Sequence, residues 1–163
     1  MFGVIRIFKK WITLDFKQKC LLIEAFFFLA RGRYLKLLPF KKVAPTLGEE
    51  SLETPPVIIS QDEKVIKDVS FAVQTMSRYT LWESACLVQA IAATRMLNRR
   101  NIETTLYLGI ARDTKGIMHA HAWVRSGSLY VTGADAKQNF TVVNKFAGGR
   151  KNRGGSFDKI SRD

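Results

Sequence analysis

Apolar positions follow a helical period in several stretches of this chain and a strand period in one. Leu and Phe dominate Cys20 to Leu38, including Phe26-Phe27-Phe28, so Met1 to about Val43 reads as a helical region. Ala44 to Ser60 reads as a connector. Pro45, Gly48, Pro55 and Pro56 disfavour helix there, and Glu49, Glu50 and Glu53 make it acidic. From Gln61 to Tyr79 the helical period returns, with Val65, Val69, Ala72, Val73 and Met76 on one face. A further helix is expected over Cys86 to Arg100, on a stripe of Leu87, Ala90, Ile91, Thr94 and Leu97. It has two candidate starts: Thr80 with Glu83 as a capping box, or Ser84 as N-cap. Ser84 is preferred, because it places Cys86 in the first turn.

Strand-like alternation then runs over Thr104–Ala111, Ile117–Arg125 and Leu129–Thr132. Asp113-Thr114-Lys115-Gly116 and Ser126-Gly127-Ser128 separate them as turns, so an antiparallel sheet is expected. Period two puts His119, His121 and Trp123 on one face of the second strand and Ala120, Ala122 and Val124 on the other. The fold class is therefore α+β. Its expected parts are an N-terminal helical region (1–43), a connector (44–60), a main domain (61–147) and a basic, Gly-rich tail (148–163) that reads as a disordered end.

At 163 residues and 47% apolar, the chain can build one domain with a real core. The apolar run of the N-terminal region is broken by Glu24, Arg31, Arg33 and Lys36, which argues against a transmembrane span of about 20 apolar residues. With two distant cysteines and no signal-peptide pattern, a reducing, cytoplasmic setting is expected. The 26 Lys and Arg against 14 Asp and Glu, net +12, favour an anionic partner or serve solubility alone. The basic flank of the helical region leaves a peripheral membrane contact open. No nucleic-acid-binding motif appears, so no nucleic-acid partner is expected.

Chemistry is carried by few residues, since there are only two Cys and two His. Cys86 opens a helix, where free amides and the helix dipole favour a thiolate over a thiol that otherwise titrates near ~8.5. Taken alone, it also fits a buried, inert thiol. His121 sits on a strand, and Asp135 follows the next one. Nucleophile, base and orienting carboxylate in that order suit a thiol hydrolase. His119 is the rival histidine, and Trp123 fits either packing beside the site or ordinary core burial. A metal site built on His119-x-His121 lacks supporting ligands, so neither metal nor cofactor is expected.

Several segments together resemble one family. Leu21–Lys42 (LLIEAFFFLARGRYLKLLPFKK), Ser84–Asn101 (SACLVQAIAATRMLNRRN), Thr105–Ala111 (TLYLGIA) and Ala120–Val124 (AHAWV) resemble, in order and spacing, the transglutaminase-like cysteine hydrolases. The resemblance is closest to the lasso peptide biosynthesis B2 proteins, which are leader peptidases. It implies a transglutaminase/papain-like core, with a Cys at a helix N-terminus packed on a small antiparallel sheet. It further implies Cys86 as nucleophile, His121 as base and Asp135 as the orienting carboxylate. Trp82, Ser84, His119 and Trp123 would be substrate-contacting or supporting residues. The implied substrate is a precursor leader peptide. The implied partners are a separate leader-binding B1 protein, since the chain leaves no room for a fused one, and the lasso cyclase that acts next. Two other readings stay open: a transglutaminase-fold amidase or acyltransferase, and a non-enzymatic basic binding module.

Overall fold

The computed structural model describes residues 14–57, 60–135 and 137–149; Met1–Thr13 and nearly all of the Gly-rich tail lie outside them. Asp15 opens the first described helix, α1 (Phe16–Lys36), its carboxylate accepting from the Phe16 amide at 2.8 Å. A short α2 (Phe40–Leu47) follows. Helix therefore continues through Pro45, beyond the expected boundary at Val43. A proline forfeits one backbone hydrogen bond. Here Val43 and Leu47 bury themselves in the core, and Thr46 Oγ1 donates to Val43 O at 2.7 Å. The connector also supplies a two-residue strand, β1 (Glu49–Glu50).

Two longer helices come next, α3 (Ser60–Ser77) and α4 (Cys86–Asn98). On α3 the buried positions are Ile66, Val69, Ala72 and Val73, with Val65 and Met76 packed at the margin. α4 is buried on most sides, through Val88, Ala90, Ile91, Ala92, Ala93, Thr94, Met96 and Leu97. Its alanines let three neighbours close in at once: α1, α3 and the sheet all pack against it. Gly32 lets α1 approach closely, since a Cβ there would lie 2.9 Å from Val88 O. Full burial of each of Ile91, Met96 and Leu97 contributes about 1.5–3 kcal/mol.

The sheet comprises β1, β2 (Thr104–Arg112), β3 (Met118–Ser126), β4 (Leu129–Thr132) and β5 (Thr141–Gly148). Its order is β1-β5-β2-β3-β4, antiparallel throughout. The two hairpins β2–β3 and β3–β4 fall where the turn residues place them. β5 and β1 extend the sheet on the far side of β2. Leu106, Ala122, Val124, Val131 and Phe146 join the helices in one core. No helix among the described residues is long and apolar enough to cross a membrane.

Candidate active site

α4 starts at Cys86, so the thiol sits in the first turn, beside amides that no helical carbonyl can reach. The residue at the N-cap is Ala85, with no side-chain cap. Ser84 is not the cap, because its hydroxyl is engaged with Thr80 Oγ1 at 2.8 Å, and its carbonyl accepts from Gln89 Nε2 at 2.8 Å. The capping box from Thr80 fails for a related reason. Thr80 Oγ1 also contacts Ser77 O and Trp82 O, locking the loop ahead of the helix instead of starting it.

Cys86, His121 and Asp135 line one cleft of about 520 Å³, together with Gln74, Arg78 and Tyr130. The cleft runs between the end of α3, the start of α4 and the β4 segment from Tyr130 to Asp135. Ser70 Oγ and Gln74 Nε2 both donate to Val131 O, at 2.6 and 3.2 Å, tying α3 to that edge strand. Neither Cys86 nor Asp135 hydrogen-bonds directly to His121 among the described residues.

The imidazole is held in a different way. β4 pairs with β3 only over Val124–Ser126, so His121 lies past the paired stretch. Its Nε2 meets Gly133 O at 3.0 Å. A carbonyl can only accept, so Nε2 carries the proton and Nδ1 is left as the basic nitrogen. Gly133 has φ +69°, and a Cβ there would lie 2.6 Å from Ala122 O and 3.1 Å from His121 Nε2. The ring also packs against two aromatics, Phe140 at 5.0 Å and Trp123 at 5.9 Å between centroids. Trp123 is itself stacked on Tyr107 at 5.5 Å. Gly109, opposite His121 across the β2–β3 pair, leaves room for the indole; a Cβ there would meet the ring at 2.8 Å.

This aromatic column rests on a polar network. Arg125 is buried and donates from Nη2 to Glu53 Oε1 at 2.7 Å and to Thr54 O at 2.8 Å, and from Nε to the Tyr107 hydroxyl at 3.0 Å. The Tyr107 hydroxyl donates to Glu53, as does Lys145 Nζ at 3.0 Å. Burial alone would raise the Glu53 carboxyl, but the hydrogen bonds from Tyr107, Lys145 and Arg125 outweigh it and hold it at about 2. Burial, helped by the Glu53 hydrogen bond, pushes Tyr107 up to about 12.

Of the remaining predicted residues, only Trp123 reaches the site. His119 is exposed and meets Asp113 Oδ2 at 3.0 Å across the hairpin end. That contact, with the Ile117 amide second, lowers the Asp113 carboxyl. Trp82 packs on Phe26 of α1 at 5.3 Å, its indole nitrogen buried without a partner among the described residues. Ser84 serves the loop, as above. Trp123 touches the site through its ring. Sequence reasoning missed Gly133, Phe140, Gln74, Arg78 and Tyr130. Of these only Gly133, a glycine directly after a strand, carried a readable signal.

A thiol at a helix start and a strand imidazole, opening into one cleft of an α+β domain, form an arrangement compatible with Cys-dependent acyl-transfer chemistry. The family model of the Transglutaminase-like superfamily matches residues 34–145, and the chain belongs to that superfamily. No curated protein and no solved structure matches the chain significantly.

Proposed function

We propose that this protein is a cysteine peptidase that removes the leader from a ribosomally made lasso precursor peptide in the cytoplasm. The observation that carries the reading is the shared cleft of Cys86 and His121, with the imidazole pre-oriented so that Nδ1 is its basic nitrogen. His121 Nδ1 accepts the Cys86 proton, and the thiolate attacks the carbonyl at the leader–core junction. The Cys86 amide, at the helix start, donates to the developing oxyanion. As the C–N bond breaks, His121 returns the proton to the leaving amine, which becomes the core N-terminus. Water then hydrolyses the thioester left on the leader. Asp135, at the mouth of the same cleft, is the carboxylate proposed to support the imidazolium once substrate closes the site. Gln74, Arg78 and Tyr130 supply the polar wall against which the peptide lies.

The quoted sequence segments support the lasso assignment, which implies a separate leader-binding B1 protein and a cyclase acting on the freed amine. The test is mass spectrometry of precursor cleavage with and without the leader-binding partner. Cleavage should depend on the partner and disappear in Cys86→Ala. A Cys86→Ala protein cleaving at the wild-type rate would refute the mechanism; full activity of the isolated chain would refute the partner dependence.

A further inference from the structure

Helix α1 is apolar on two opposite sides. Leu21, Leu22, Ala25, Leu29 and Leu35 are buried against the rest of the fold. At 100° per residue, Phe16, Ile23, Phe27 and Tyr34 gather on the opposite side, within about 40° of Phe27. They are 79%, 47%, 66% and 61% exposed, and the stripe runs on into Leu37 and Phe40 at 68% and 45%. The exposed apolar area is on the order of 600 Å², at the upper end of what a monomer ordinarily shows. A surface helix is normally polar on its outer face, so this stripe is fitted to something beyond solvent.

The charges along its edges are mainly basic. Lys17 and Arg31 flank one edge of the stripe by helical position, and Lys19 and Arg33 the other. Both acidic residues of this stretch are committed elsewhere. Asp15 caps the helix, and Glu24 binds Arg100 at 2.6 and 3.0 Å. An aromatic stripe about 30 Å long, edged by cations, matches a helix lying in the plane of an anionic bilayer interface. The net charge of +12 adds long-range attraction to such a surface. Most of the stripe, Phe16 to Phe27, lies outside the residues that the superfamily model matches, so it is not part of the shared catalytic core.

We infer that α1 docks the protein peripherally on an anionic lipid surface through Phe16, Ile23, Phe27 and Tyr34. The inference is independent of the chemistry in the cleft. The test is flotation of the full chain with phosphatidylcholine vesicles containing about one-third phosphatidylglycerol, against phosphatidylcholine alone. The wild type should float with the anionic vesicles and largely stay behind with the neutral ones. Phe27→Glu with Tyr34→Glu should weaken partitioning at least tenfold with the circular dichroism spectrum unchanged. Val57→Glu with Phe71→Glu makes the same charge change at exposed apolar sites off the stripe, 72% and 55% exposed, and should cost about threefold or less. Equal losses in the two double variants would overturn the inference, leaving only a diffuse charge effect. A wild type that ignores anionic vesicles would overturn it too. If that protein instead dimerises in sedimentation, and Phe27→Glu abolishes the dimer, the stripe belongs to a protein interface.

Discussion

Replacing Gly133 with alanine tests whether the backbone carbonyl beyond β4 positions His121, the proposed base. At φ +69° an L side chain costs about 1–2 kcal/mol on backbone grounds alone. The new Cβ would also lie 2.6 Å from Ala122 O, 2.9 Å from Trp123 Cβ and 3.1 Å from His121 Nε2. Two of these are parts of β3 that cannot turn aside, so the strand or the loop must move, adding about 1–3 kcal/mol of overpacking. Gly116 supplies the control. It has φ +80° and nothing within 4 Å of the equivalent Cβ, so Gly116→Ala carries the backbone cost without the collision. Urea denaturation should put Gly133→Ala about 2 kcal/mol below Gly116→Ala. Displacing the imidazole by several tenths of an ångström should also cost about tenfold or more in the proposed leader cleavage, since misplacements near 1 Å cost about a hundredfold. Equal stability and equal cleavage in the two variants would refute the idea that the Gly133 carbonyl positions His121.

Further predictions concern the thiol, the aromatic column and the polar network. Peptide-resolved alkylation at neutral pH should modify Cys86 at least about tenfold more slowly in His121→Ala, with exposed Cys20 as internal reference; an unchanged Cys86 rate would mean that the imidazole does not act on the thiol. Trp123→Leu removes the ring stacked between Tyr107 and His121 and should cost about 2–3 kcal/mol by denaturation together with a drop in kcat; loss of stability with intact kcat would remove Trp123 from the positioning of the base. Glu53→Gln strips buried Arg125 of its carboxylate and should cost about 2 kcal/mol at neutral pH, discounted because Glu53 is 39% exposed; a cost under about 0.5 kcal/mol would contradict the network. The pH dependence has a definite sign. Glu53 is held at about 2 when folded against an ordinary 4.5, so its stabilisation is complete above about pH 4.5 and lost as pH falls toward 2. The stability gap between wild type and Glu53→Gln should therefore narrow over that window and stay flat above it.

Local periodicity reached far into this fold and stopped where contacts became distant. The stripe on α4 and the β2–β3–β4 meander are written in consecutive residues, and the turns fall where Asp113–Gly116 and Ser126–Ser128 place them. β5 has no such signature. Its first three residues, Thr141, Val142 and Val143, are all exposed, and it is a strand because it pairs with β2 over 30 residues earlier in the chain. β1 is more extreme, two glutamates made a strand by Phe146 and Ala147. The N-cap of α4 failed for the same reason at shorter range. Ser84 is a fit cap residue in isolation, yet Thr80 engages its hydroxyl first.

The site divides along the same line. Which residues are candidates for the chemistry was legible, because a chain with two cysteines and two histidines leaves little choice and the helix start around Cys86 is local. How those residues are held was not. The proton acceptor on His121 Nε2 is a main-chain oxygen, and no side-chain pattern announces one. The rings packed beside it come from the same strand, Trp123, and from the end of the loop before β5, Phe140. Asp135 shows the gap most plainly. Its type and position after β4 suit an orienting carboxylate, but the carbonyl two residues before it already occupies the imidazole. For Asp135 to act on His121, the Gly133–Asp135 turn must change its hold as substrate enters. Asp135→Asn should then lower kcat while leaving free-enzyme stability untouched, and the opposite pattern, lost stability with intact kcat, would confine Asp135 to the turn.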